Sequence, residues 1–160
     1  MITESVKVFW QAFQKRNPEH GNFPCPEPWH FCDNQKDADE CADLVVRGIK
    51  QATSPSVWWY EKNQHDFPEV GELNVITNWA GEPKAVIQTT KLEFVSYQEV
   101  TAAYAFVEGE GDRSLEYWRK VHWEYFQREM SPYGEHPTPE MIIVCEYFQT
   151  VYTNNELTDS

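Results

Sequence analysis
A chain of 160 residues that is 41% hydrophobic and 15% aromatic carries enough apolar mass for one domain with a packed core, which excludes a disordered tail or linker. Its 26 acidic against 13 basic side chains leave a net charge of −13. A surface built to grip a long phosphate backbone shows the opposite field, so a small or neutral ligand fits this balance better.

In chain order, residues 4–16 (ESVKVFWQAFQKR) set Val6, Phe9, Trp10 and Phe13 at helical spacing and predict an amphipathic helix. Residues 17–35 hold Pro24, Pro26 and Pro28 and read as an irregular loop. A second helix is expected from about Asp37 to Gly48, burying Ala38, Cys41, Ala42 and Val45, with Asp37 and Asp39 at its positive end. Pro55 then opens a short third helix through Trp58, Trp59 and Tyr60. From Gly71 the period changes. GELNVITNW and KAVIQTTKLEFV alternate apolar and polar residues around the turn Ala80-Gly81-Glu82-Pro83, which predicts two antiparallel strands. Ser96 to Phe106 reads as short helical turns. Ser114 to Met130 reads as the longest helix, with Leu115, Trp118, Val121, His122, Tyr125 and Phe126 along one side and Asp112 or Ser114 as cap. Met141 to Tyr152 reads as a buried strand, and the last eight residues as a polar, frayed end. The order predicts an α+β fold, a small curled sheet or barrel decorated by helices. One domain over residues 1–160 is expected, with a helical and loop extension over about 1–35.

Four cysteines form no C-x-x-C pair, no apolar run reaches membrane-spanning length, and MITESVKVFWQAF lacks the apolar core and cleavage site of a signal peptide. The expectation is a cytoplasmic protein with reduced, mostly buried thiols and no membrane partner. In HGNFPCPEPWHFC, the spacings of His20, Cys25, His30 and Cys32 match no usual zinc pair, so no metal is expected. No P-loop, dinucleotide fingerprint or nucleophile elbow is present, and no cofactor is expected.

Two stretches could carry chemistry. In LVVRGIKQATSPSVWWY, Lys50 and Thr53 stand three residues apart at a helix end. They can cooperate only if the chain stays helical or turn-like to about Thr53, because such positions lie on opposite faces of a strand. Desolvation could lower the Lys50 pKa and make it a base for a Thr53 nucleophile; both could equally donate to a ligand carbonyl, or simply close a helix. In FVEGEGDRSLEYW, Glu108, Glu110, Asp112 and Glu116 cluster around Gly109 and Gly111. Asp112 suits a helix cap, whereas Glu108 and Glu110 lie too far upstream for that. His122, on the apolar side of its helix, reads as a satisfied core histidine.

Gly48-Ile49-Lys50-Gln51-Ala52-Thr53 resembles the G-x-K-x-x-T signature of ASCH domains, relatives of the PUA domains of RNA-modifying proteins. EGEGDRSLEYWRKVH and VCEYF are similar to the larger, uncharacterised bacterial branch of that family, over roughly Phe31 to Val151. The resemblance implies a PUA-like β-barrel of mixed or antiparallel strands with a cleft near the signature. RNA binding is proposed for family members; one small subgroup removes acetyl from acetylated cytidine with the signature lysine, threonine and a glutamate, and another member resembles a ribonuclease. Carried over, these residues are Lys50, Thr53 and Glu110, with Glu108 as the alternative glutamate. This chain is longer than the small amidohydrolases, so shared residues need not mean a shared substrate.

The reading expected from this is hydrolysis of an amide on a modified nucleoside, in which Lys50 takes the proton of Thr53, Thr53 attacks the acyl carbon and Glu110 positions the substrate or shuttles a proton. Gly48, Glu108, Asp112 and Arg119 would contact the substrate, and Trp58, Trp59 and Tyr60 would stack on it. The alternative is a module or ribonuclease for single-stranded RNA, with Lys50, Arg113, Arg119 and Lys120 as a basic rim.

Overall fold
The computed structural model describes residues 1–154. Its sheet has four antiparallel strands, β1 (Ala52–Thr53), β2 (Leu73–Thr77), β3 (Pro83–Ser96) and β4 (Ile142–Thr153), in the order β1-β4-β3-β2. The long β3–β4 ladder runs from Ala85 opposite Thr153 to Ser96 opposite Ile142. Its register shifts at Val86/Ile87 and at Thr89/Lys91, irregularities that bend and twist such a pair. The β2–β3 hairpin turns where Gly81 takes φ +88°, as the Ala80-Gly81-Glu82-Pro83 stretch predicted.

Among the described residues, five α-helices accompany this sheet. α1 (Glu4–Arg16) and α2 (Gln35–Val46) start on Thr3 and Asn34, whose side chains accept from Val6 N and Asp37 N. Alternation along β2 and β3 separates their contacts. Val75 and Val86, with Tyr152, pack against Val6, Phe9, Trp10 and Phe13 of α1, whereas Ile76, Ala85 and Ile87, with Phe148, pack against Cys41 and Val45 of α2. α3 (Val57–Lys62), α4 (Ala102–Glu108) and α5 (Leu115–Met130) start on Ser56, Thr101 and Ser114. A third cluster joins α4 and α5 to β4 through Tyr104, Ala105, Trp118, Phe126, Ile143 and Cys145.

The periodic segments fold as their patterns predict, with several boundaries shifted; α4, for example, runs to Glu108 where helical turns were expected to end at Phe106. α2 begins two residues earlier than expected and stops at Val46. Pro55 stands ahead of α3, because Ser56 supplies the cap that a proline lacks. Thr153, expected in the frayed end, is the last residue of β4, while 155–160 lie outside the described residues. All four cysteines are free, with Cys41 and Cys145 buried and Cys25 and Cys32 half-buried. No helix among the described residues is long and apolar enough to cross a membrane.

Because α1 supplies four buried side chains to one face of the sheet, it is predicted to fold with the rest. Phe13→Ala should lose about 3–5 kcal/mol in urea denaturation; a loss below about 1 kcal/mol would mean that α1 is dispensable.

Candidate active site
Two glycines bring distant segments together. Gly48, at φ +73°, ends α2, and the amides of Ile49 and Lys50 fold back onto Leu44 O at 2.9 and 3.2 Å. The chain then extends, with Gln51 N donating to Val107 O at 2.9 Å and Phe148 N donating to Gln51 O at 3.0 Å. Gly109, at φ +80°, ends α4 directly over this turn. A Cβ there would lie 2.6 Å from Ile49 O and 3.0 Å from Lys50 Cα, so only glycine allows the backbones to meet.

That contact puts Lys50 between two carboxylates. Lys50 is 1% exposed; its Nζ donates to Glu110 Oε2 at 2.7 Å and to Ala52 O at 2.8 Å, with Glu108 Oε2 at 3.6 Å. The ring of Phe31 lies 5.0 Å from Nζ. Glu108 also accepts from Trp118 Nε1 at 2.8 Å, from the Ser54 hydroxyl, and from His122 Nε2 at 2.9 Å. His122 stacks on Trp118 at 4.2 Å and places Nδ1 2.8 Å from Trp118 O. A carbonyl only accepts, so Nδ1 carries a proton. With an ionised Glu108 at the other nitrogen, the ring is an imidazolium. Two cations thus face two carboxylates.

The charges set one another. Burial opposes the Lys50 charge, but Glu110 and Glu108 outweigh it and raise its pKa above the ordinary value. Burial likewise opposes the charge on Glu108, and His122 and Lys50 overcome it, holding this carboxyl well below the usual range. His122 is raised, with Glu108 outweighing the burial of the ring. Glu110 moves the other way: burial and the Glu108 charge raise it despite Lys50. Glu108 is therefore a fixed anion and Glu110 the carboxylate readier to carry a proton.

Several expectations change here. Lys50 is kept charged, so desolvation does not make it the base for Thr53. The chain is extended at Thr53, which pairs with Glu146 in β1, and among the described residues no hydrogen bond joins its hydroxyl to Lys50. Ser54, one residue on, is the hydroxyl that enters the cluster. Trp58 reaches Glu135 and Tyr133, Trp59 packs on His65, and Tyr60 on Phe67; none of these partners belongs to the cluster. Asp112 is exposed and accepts from Ser114 N at 2.9 Å, a capping contact. Arg119 is exposed and donates to Gln98 O, while Arg113 lies 3.6 Å over the Phe106 ring, so with Lys50 buried these cations do not form one rim. His122 is satisfied, as expected, but by Glu108. Ser54 and Trp118 were not foreseen, although W-R-x-x-H stands in the same quoted stretch as the acids.

Among the described residues, two groups of side chains bring possible metal-ligand atoms within 4.8 Å of one another: Glu108, Glu110 and His122, and Cys32, Cys41 and Glu110. In the first, Lys50 and His122 already balance the two carboxylates, and both His122 nitrogens are engaged, Nε2 by Glu108 and Nδ1 by Trp118 O.

Gly109→Ala should lose roughly 3 kcal/mol or more in urea denaturation, because a positive φ and a clash with backbone add. A loss below about 1 kcal/mol would show that the close approach is not needed.

The sequence model of the ASCH domain matches residues 27–152. The crystal structure of an ASCH domain from Lactobacillus crispatus is 33% identical with a TM-score of 0.87, over 94% of this chain and 96% of that one. The protein EF3133 of Enterococcus faecalis is 30% identical, also with a TM-score of 0.87, over 98% and 94%. No curated protein matches the sequence. The chain belongs to the ASCH domain family, and its antiparallel sheet with five helices is an α+β fold of the PUA-like type.

Proposed function
We propose that this protein hydrolyses an amide on a small nucleoside-like ligand, with Glu110 as the group that moves the proton. The observation that carries this reading is the division of the carboxylate pair. Glu108 is 2% exposed and accepts from three donors beside the Lys50 charge, whereas the Glu110 side chain keeps 17% of its surface exposed while touching Lys50 at 2.7 Å. A carboxylate held by a permanent cation, with one edge open, suits a general base.

Glu110 removes a proton from water, the water oxygen bonds to the acyl carbon, and the C–N bond breaks as the leaving amine takes the proton back from Glu110. The products are a carboxylic acid and the free amine. Lys50, buried and protonated, positions Glu110 and does not act as a base. Thr53, placed on β1, is not needed as nucleophile. The net charge of −13 supports a neutral ligand over a polyanion, and the resemblance of the signature to the cytidine-deacetylating subgroup supplies the substrate class.

The test is acetylated cytidine incubated with wild type, Glu110→Gln and Thr53→Val, with products separated by chromatography and folding checked by melting. Wild type should release cytidine, and Glu110→Gln should fall by about 100-fold or more without a matching loss of stability. A loss in Thr53→Val as large as that in Glu110→Gln would restore the threonine as nucleophile. No turnover by wild type would overturn the hydrolase reading, and single-stranded RNA binding that weakens steeply with salt would then identify a phosphate-binding module.

A further inference from the structure
The half-buried Cys32, on the loop before α2, and the buried Cys41, within α2, are not part of the proposed chemistry, yet they lie against it. Their Sγ atoms are 3.6 Å apart. That is far beyond the roughly 2.0 Å of a disulfide. It is close to the edge of a tetrahedron around zinc, where two bonds of about 2.3 Å set their sulfurs about 3.8 Å apart. A Glu110 oxygen completes a triangle in which every ligand atom is within 4.8 Å of the others. Cys32 reaches this position because its backbone adopts φ +66°, a conformation a non-glycine residue rarely takes, just before Asn34 caps α2.

We infer that Cys32, Cys41 and Glu110 form a binding site for one soft divalent cation such as zinc, with the fourth position left to water. Two thiolates and a carboxylate are the donor set that favours zinc over magnesium or calcium. Charge conservation supports the same assignment. The metal-free cluster balances Lys50 and His122 against Glu108 and Glu110. A divalent ion brings two positive charges, and the two thiols release two protons on ligation, so the balance is kept without displacing Lys50. Cys32 is partly exposed, which gives the ion a route in.

One consequence rests on the proposed hydrolase reading. A Glu110 carboxylate that binds both the metal and Lys50 is too weak a base to take a proton from water, so zinc occupancy suppresses turnover and the cation acts as an inhibitor. The binding itself does not depend on that reading.

The experiment titrates the reduced, metal-free full chain with Co²⁺ and follows thiolate-to-cobalt charge-transfer absorption, then displaces the cobalt with Zn²⁺. One equivalent of Co²⁺ per chain should produce the band. Cys41→Ser and Glu110→Gln should each weaken binding by at least about tenfold, while Cys25→Ser should leave it unchanged. Melting curves of each variant separate lost ligation from lost folding, and Cys32→Ser provides a second ligand variant at a less buried position. Absence of the band in wild type, or a band that survives in both Cys32→Ser and Cys41→Ser, would overturn the site. In the same preparation Zn²⁺ should suppress cytidine release by wild type. Failure of turnover alone would sink the hydrolase reading and leave the cobalt result standing.

Discussion
A protonated lysine sealed between two glutamates is the interaction on which the rest of this site depends. Burying an ammonium without partners costs several kcal/mol, and removing one member of a buried pair leaves the other charge uncompensated. Here the compensation is distributed. Glu108 receives Lys50, His122, Trp118 and Ser54, and Glu110 receives Lys50 from the more open side. The asymmetry between the two carboxylates follows from their partners, since the one with three donors and the Lys50 charge beside it is locked as an anion and the one with fewer remains able to titrate.

Backbone makes this arrangement possible before any side chain does. Gly48 stops α2, Gly109 stops α4, and the missing Cβ of Gly109 lets the two helix ends touch. The Gln51 amide bonded to Val107 and the Phe148 amide bonded to the Gln51 carbonyl then stitch this junction to α4 and β4. Gly111, at φ +57°, serves the same loop in a left-handed conformation that favours glycine. The G-x-K and E-G-E-G stretches are therefore two halves of one structural element, separated along the chain and joined in space.

Local pattern made much of the fold legible. The repeat of Val6, Phe9, Trp10 and Phe13, the alternation in β2 and β3, and the capped run of α5 are properties of short windows and need no tertiary information. The failures are non-local. β1 is two residues long and exists only because Ala52 and Thr53 meet Tyr147 and Glu146 of a strand far along the chain. The protonation of Lys50 could not be read from its neighbours, since the carboxylates that raise its pKa follow about sixty positions later. Trp58, Trp59 and Tyr60 showed that an aromatic run predicts a buried surface without saying which one. Cys32 and Cys41 escaped a search by spacing because one is on a loop and the other on a helix.

The most direct test of the buried charge cluster is a double-mutant cycle in urea denaturation with Lys50→Met, Glu108→Gln and both together. If the two charges hold each other, each single change costs about 3–5 kcal/mol and the double variant loses less than their sum by about 2 kcal/mol. Losses that add to within about 0.5 kcal/mol would mean that Lys50 and Glu108 contribute independently, contradicting a charge cluster at the centre of the site.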